Sequence, residues 1–68
     1  MYAIDLMICR PDYWLTVYKR KDCWQFSLYF PAKKFYCNTE HLCYTTRIGC
    51  LNSAREIAIK FLIRIAEL

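Results

Sequence analysis

The chain has one glycine, one histidine and two prolines among its 68 residues. With Gly49 as its sole glycine, it cannot form a Gly-rich loop whose backbone cradles phosphate. A single histidine, His41, leaves little room for general acid–base pairs. Its near neighbour Cys43 could share a face with it in extended backbone, but no third orienting group or oxyanion hole is evident. The six carboxylates (Asp5, Asp12, Asp22, Glu40, Glu56, Glu67) are scattered rather than paired. A domain of this size also lacks the volume for a deep pocket. No catalytic residues and no cofactor are expected, so the chain reads as non-enzymatic.

Long apolar runs are missing too. The C-terminal stretch is interrupted by Lys60, Arg64 and Glu67, so it does not supply the ~20 apolar residues of a membrane span. Ile4-Asp-Leu-Met-Ile8 is short, is broken by Asp5, and has neither a basic flank nor a small-residue cleavage site. No export signal is expected, and the expected setting is cytoplasmic. Repeats, low-complexity tracts and linkers are absent, which leaves one domain, 1–68.

What is present is apolar and aromatic. Hydrophobic residues make up 57% of the chain, with four Phe, two Trp and six Tyr, too many for a disordered segment. Net charge is +4, a mild balance compatible with an acidic partner. The five cysteines (Cys9, Cys23, Cys37, Cys43, Cys50) are odd in number. Without an export signal they are expected to be reduced thiols acting as small hydrophobes. Cys37, His41, Cys43 and Cys50 form the one conceivable zinc set. Its His-x-Cys pair is tight, however, and no Cys-x2-Cys occurs, so no metal is expected.

Alternation of period two predicts strands at about 2–9, 13–20, 23–30 and 34–38. Arg10-Pro-Asp12, Arg20-Lys-Asp22 and Pro31-Ala-Lys-Lys34 supply the turns. Ala54, Ile57, Ala58, Phe61, Leu62, Ile65 and Leu68 recur at helical spacing, predicting a helix over about 47–67. Ser53-Ala-Arg-Glu56 offers a capping box as a later start. The apolar stripe already reaches Cys50 and Leu51, which favours the earlier start at Thr46-Arg47. The fold class is α+β: a three- to four-stranded antiparallel β-meander packed on one long C-terminal helix. Ile4, Leu6, Leu15, Val17, Trp24, Phe26 and Leu28 should face that helix.

Two surfaces are candidate contact sites. On the helix, Ile59, Ile63 and Ala66 form a second apolar band beside the core stripe, with Arg55 inside it. The apolar arc then covers about two-thirds of the wheel, more than one buried face requires. A homodimer or a larger protein partner would cover this band, unless the meander curls round to do so. On the sheet, Trp14, Tyr18, Tyr29 and Tyr36 should lie away from the helix. Lys19, Arg20 and Lys21 would rim that face at one hairpin and Lys33 and Lys34 at the next. Aromatic platforms with cationic edges suit single-stranded nucleic acid. Ordinary cross-strand pairing with solvated hairpin lysines would look the same.

From Tyr13 onward, with Thr46, Leu51 and Ala54 marking the helix start, the layout resembles the arm-binding domains of phage integrases and a plant DNA-binding domain. That resemblance implies a sheet that reads DNA. The strand-then-helix order also resembles half of a double-stranded-RNA-binding domain, though Arg47 to Ser53 holds one basic residue where that family is Gly- and Lys-rich. The leading expectation is a small regulatory or accessory subunit acting by protein–protein contact through its helix, with nucleic-acid binding by the sheet second.

Overall fold

The computed structural model describes residues 3–39 and 42–65. It contains a four-stranded antiparallel sheet in the order β1-β2-β3-β4: Ala3–Cys9, Trp14–Arg20, Cys23–Phe30 and Phe35–Asn38. One helix follows, α1, Arg47–Lys60. The architecture is the α+β meander with a C-terminal helix that the alternation predicts. Each connection between strands is short, so each strand lies beside its predecessor.

Alternation decides which residues enter the core. Ile8, Leu15 and Leu28 stand in one cross-strand row, and Leu6, Val17 and Phe26 in the next. Leu15, Val17, Phe26, Leu28 and Phe30 are fully buried. Against them α1 lays Cys50, Leu51, Ala54 and Ala58, all buried. The small alanines let the helix approach β3, while Phe30, Phe35 and Phe61 fill the far end with ring centroids 4.7–5.6 Å apart. Trp24 packs at the edge of this cluster, half-buried.

Ile4 departs from the predicted pattern. The register of β1 slips between Ile4 and Leu6, so Ile4 pairs with Tyr18 while Leu6 pairs with Val17. One extra residue in a strand inverts the facing of everything beyond it. Ile4 is therefore turned away from the helix and is 62% exposed. The bulge places Asp5 where its Oδ2 accepts a hydrogen bond from Arg47 Nε at 2.6 Å. This partly exposed pair ties the helix start to the edge strand more than it stabilises the fold.

The helix begins where the earlier of the two starts put it. Thr46 is the N-cap, its side-chain oxygen accepting from the Gly49 amide at 3.0 Å. A Cβ on Gly49 would meet that same oxygen at 2.9 Å, so the one glycine keeps the cap intact.

The helix end differs from expectation: α1 stops at Lys60 instead of continuing to 67. Leu62 takes a left-handed conformation with φ 61. Its amide bonds to the Ile59 carbonyl and that of Ile63 to the Ala58 carbonyl, both at 3.0 Å. This is a Schellman stop, a position that glycine usually fills. Because the chain reverses there, Ile63 and Ile65 fold back and are buried. Leu62 is 92% exposed, so its side chain packs on nothing that would offset the left-handed strain of ~1–2 kcal/mol. Leu62→Gly is expected to raise the unfolding free energy by about 1 kcal/mol, readable as a higher urea midpoint at unchanged slope.

Cys50 supplies a pH signature. Burial pushes its thiol from the ordinary 9.0 up to about 11. In the unfolded chain the thiol ionises near 9, whereas in the fold it stays protonated until about 11. The unfolded state thus loses its proton first, and stability falls as pH rises through that window. The loss should reach about 2–3 kcal/mol. Urea titrations between pH 8 and 11 should show a steep decline in the wild-type chain and a shallower one in Cys50→Ala.

Candidate functional site

The sheet face turned away from α1 is built from residues that alternate with the core. Its first row runs Cys9, Trp14, Tyr29, Tyr36 across the strands, and its second Met7, Thr16, Ser27, Asn38. The third row is Ile4, Tyr18 and Gln25, completed by the bulge. Met7 is 64% exposed, Trp14 50% and Tyr36 59%. Trp14 and Tyr29 contact each other with ring centroids 5.2 Å apart, tilted. Among the described residues, these three rows contain no Asp, Glu, Lys or Arg. Relief varies along the strands, from large aromatic side chains in the first row to small ones at Thr16 and Ser27 in the second.

One end of this face is walled. After β4 the chain returns to bridge Tyr44 to Trp24. Gln25 Nε2 donates to the Thr39 and Leu42 carbonyls at 3.2 and 2.9 Å. Thr39 in turn is bonded to Phe26, accepting from its amide at 3.0 Å. Gln25 and Thr39 are consequently buried on what would otherwise be the open side. A disulfide between Cys23 and Cys43 fastens the segment to β3.

That disulfide corrects the expectation of reduced thiols throughout. It also removes Cys43 from the zinc set, because its sulfur is already bonded. Cys50 is buried in the helix face of the core and Cys37 is half-buried on β4. His41 lies outside the described residues.

The basic residues do not form one rim. Arg20 and Lys21 lie at the β2–β3 hairpin, whereas Lys33 and Lys34 lie in the β3–β4 turn at the opposite end of the sheet. The seven residues Trp14–Arg20, six steps of the strand, put about 20 Å between the ends. Lys19 alternates onto the helix side, where its Nζ stands 5.2 Å from the Trp24 ring centroid.

On the helix, Arg55, Ile59 and Ile63 do come together. With Glu56, Arg64 and Ile65 they line an open groove of about 370 Å³. Ile59 is 59% exposed, but Ile63 and Ile65 are already covered within the chain. The unmatched band therefore shrinks to Ile59, with Ile48 and Leu62 exposed separately from it. Ala66 lies outside the described residues.

Met7 and Cys9 are surface residues that the sequence analysis did not single out, and Ile4 is one that it placed on the helix side. Met7 and Cys9 alternate against Leu6 and Ile8, which was the available signal. Ile4 gave none, because the bulge is silent in the alternation.

No known protein family, curated protein or solved structure matches the chain. The layout likeness to DNA-reading domains thus stands without a matching family. Among the described residues no helix is long and apolar enough to cross a membrane.

Proposed function

We propose that this chain is a small non-enzymatic protein-binding module, a regulatory or accessory subunit, whose contact surface is the outer sheet face. One observation carries the reading: an open face of a four-stranded sheet exposes Ile4, Met7, Trp14 and Tyr36, and among the described residues its three rows bear no charge. Interface centres are depleted of charged residues and enriched in aromatic residues and Met. A solvated sheet face ordinarily mixes Lys, Glu and Thr with its apolar residues. The helix groove around Arg55, Ile59 and Ile63 is the lesser candidate, since two of its isoleucines are already covered.

The aromatic row keeps a second reading in view, because Trp14, Tyr29 and Tyr36 could stack bases and Lys33 and Lys34 lie in the turn beyond them. Phosphates would follow cations along the whole face, however, and among the described residues its three rows hold none. The disulfide also bears on the setting: such bonds persist in oxidising compartments, which favours one of those over the cytoplasmic expectation.

Capture from an extract of the native host tests the reading with three baits: wild type, Thr16→Glu and Ile59→Glu. A protein retained by wild type and Ile59→Glu but lost from Thr16→Glu is the expected result. Retention by all three, or loss from Ile59→Glu alone, would move the contact off the sheet. Tight oligonucleotide binding that falls steeply with salt would replace the reading with the nucleic-acid one.

A further inference from the structure

Resting on the sheet-face reading above, we infer that the face packs against a second copy of this chain in a twofold, sheet-on-sheet dimer. The first argument is charge. The chain carries +4, so a partner chosen by charge would be acidic and would need cations where it docks. Among the described residues the outer face offers none between the hairpin ends. Two copies of this face bring no like charges together, because the cations lie in the turns.

The second argument is shape. The large row (Cys9, Trp14, Tyr29, Tyr36) lies next to the small-centred row (Met7, Thr16, Ser27, Asn38), offset by two residues along each strand. Consider a twofold axis lying in the interface, parallel to the rows and midway between them. It sets each copy's large row over the other's second row, so that Trp14 meets Thr16 and Tyr29 meets Ser27. Such a surface is its own complement, which an isologous contact requires. Inner faces of two sheets interdigitate this way at ~10 Å separation.

The pinned segment fixes where the second copy can lie. The Thr39 and Leu42 carbonyls hold Gln25, and Tyr44 bridges to Trp24, at one end of the face, so a flat partner must settle toward the aromatic end. Area is adequate without being large. Half-exposed aromatic side chains of ~150–250 Å² each, with Ile4, Met7 and the half-buried residues between, offer roughly 600–800 Å² per copy. Stable interfaces bury about that much per partner, and the low end points to a dimer that forms at micromolar concentration.

Sedimentation velocity over a micromolar-to-millimolar series tests this directly. Wild type and Ile59→Glu should convert from monomer to dimer as concentration rises. Thr16→Glu should need roughly tenfold more protein or stay monomeric, since it buries a carboxylate against an aromatic ring. Added salt should leave the dimer unchanged or tighten it by screening the +4 copies. Alkylation of exposed Cys9 should slow as the dimer fills. An unchanged circular dichroism spectrum and melting profile for Thr16→Glu would show that the variant folds. A wild-type chain that remains monomeric at millimolar concentration overturns the dimer, as does one whose dimer ignores Thr16→Glu. If the extract partner is still lost from Thr16→Glu in that case, the protein-binding face stands and only the second copy falls.

Discussion

Replacing Phe26 by alanine should lower the unfolding free energy by about 3–5 kcal/mol, a large effect for a chain of this size. Phe26 lies on β3, the strand that pairs with both β2 and β4 and carries the helix contact. Its side chain is fully buried, beside Val17 in the cross-strand row and stacked on Tyr44 at 6.2 Å between centroids. Its backbone is also engaged, the amide donating to Thr39 Oγ1 and the carbonyl accepting from the Thr39 amide. Those bonds hold the strand in place, so the cavity cannot collapse by sliding β3 inward. A 68-residue domain has only about 3–10 kcal/mol in total, so the variant should be largely unfolded at 37 °C. Urea denaturation measures the loss; one below about 1 kcal/mol would mean that the site repacks.

Removing the disulfide is the second large effect. Cys23 and Cys43 are 20 residues apart in sequence, and closing a loop of that length lowers unfolded-state entropy by about 3 kcal/mol equivalent. The Cys23→Ala/Cys43→Ala chain should therefore melt ~10–25 °C lower than wild type, given a shift of ~4–8 °C per kcal/mol at this size. The native fold should survive in the cold, because Gln25, Thr39 and the Trp24–Tyr44 bridge still hold Thr39, Leu42 and Tyr44 against β3. Hydrogen exchange should then show new opening at Leu42 and Tyr44, with β2 still protected. Equal melting temperatures for the two chains would contradict the assignment of this bond as the staple of a small core.

Much of this fold was legible because alternation and turn chemistry agree along β2 and β3. Leu15, Val17, Phe26 and Leu28 fall on one face by counting alone, and Thr46 caps the helix as its hydroxyl allows. Three features escaped for physical reasons. The bulge between Ile4 and Leu6 preserves the apolar–polar rhythm of the letters while inverting their facing. The helix stop at Leu62 has no Gly or Pro to announce it, and the apolar spacing runs on past it. The disulfide depends on the returning segment meeting β3, a distance that spacing does not encode.

The candidate site was legible in part. Trp14, Tyr18 and Tyr29 alternate onto the outer face as read, and Tyr36 joins them through its register with Tyr29. The two lysine clusters were read as one rim because they neighbour the same strands in sequence. The meander sends them to opposite ends, leaving the middle of the face uncharged. That change turns the proposal for this face from nucleic acid toward protein, and moves the proposed protein contact from the helix to the sheet.

Residue-resolved chemical-shift mapping over a protein concentration series locates the self-association surface. Concentration-dependent shifts should group on Ile4, Met7, Trp14, Thr16, Ser27, Tyr29 and Tyr36, with the Trp14 indole among the largest. Shifts confined instead to Ile48, Arg55, Ile59 and Arg64 would place the contact on the helix and overturn the sheet-face dimer.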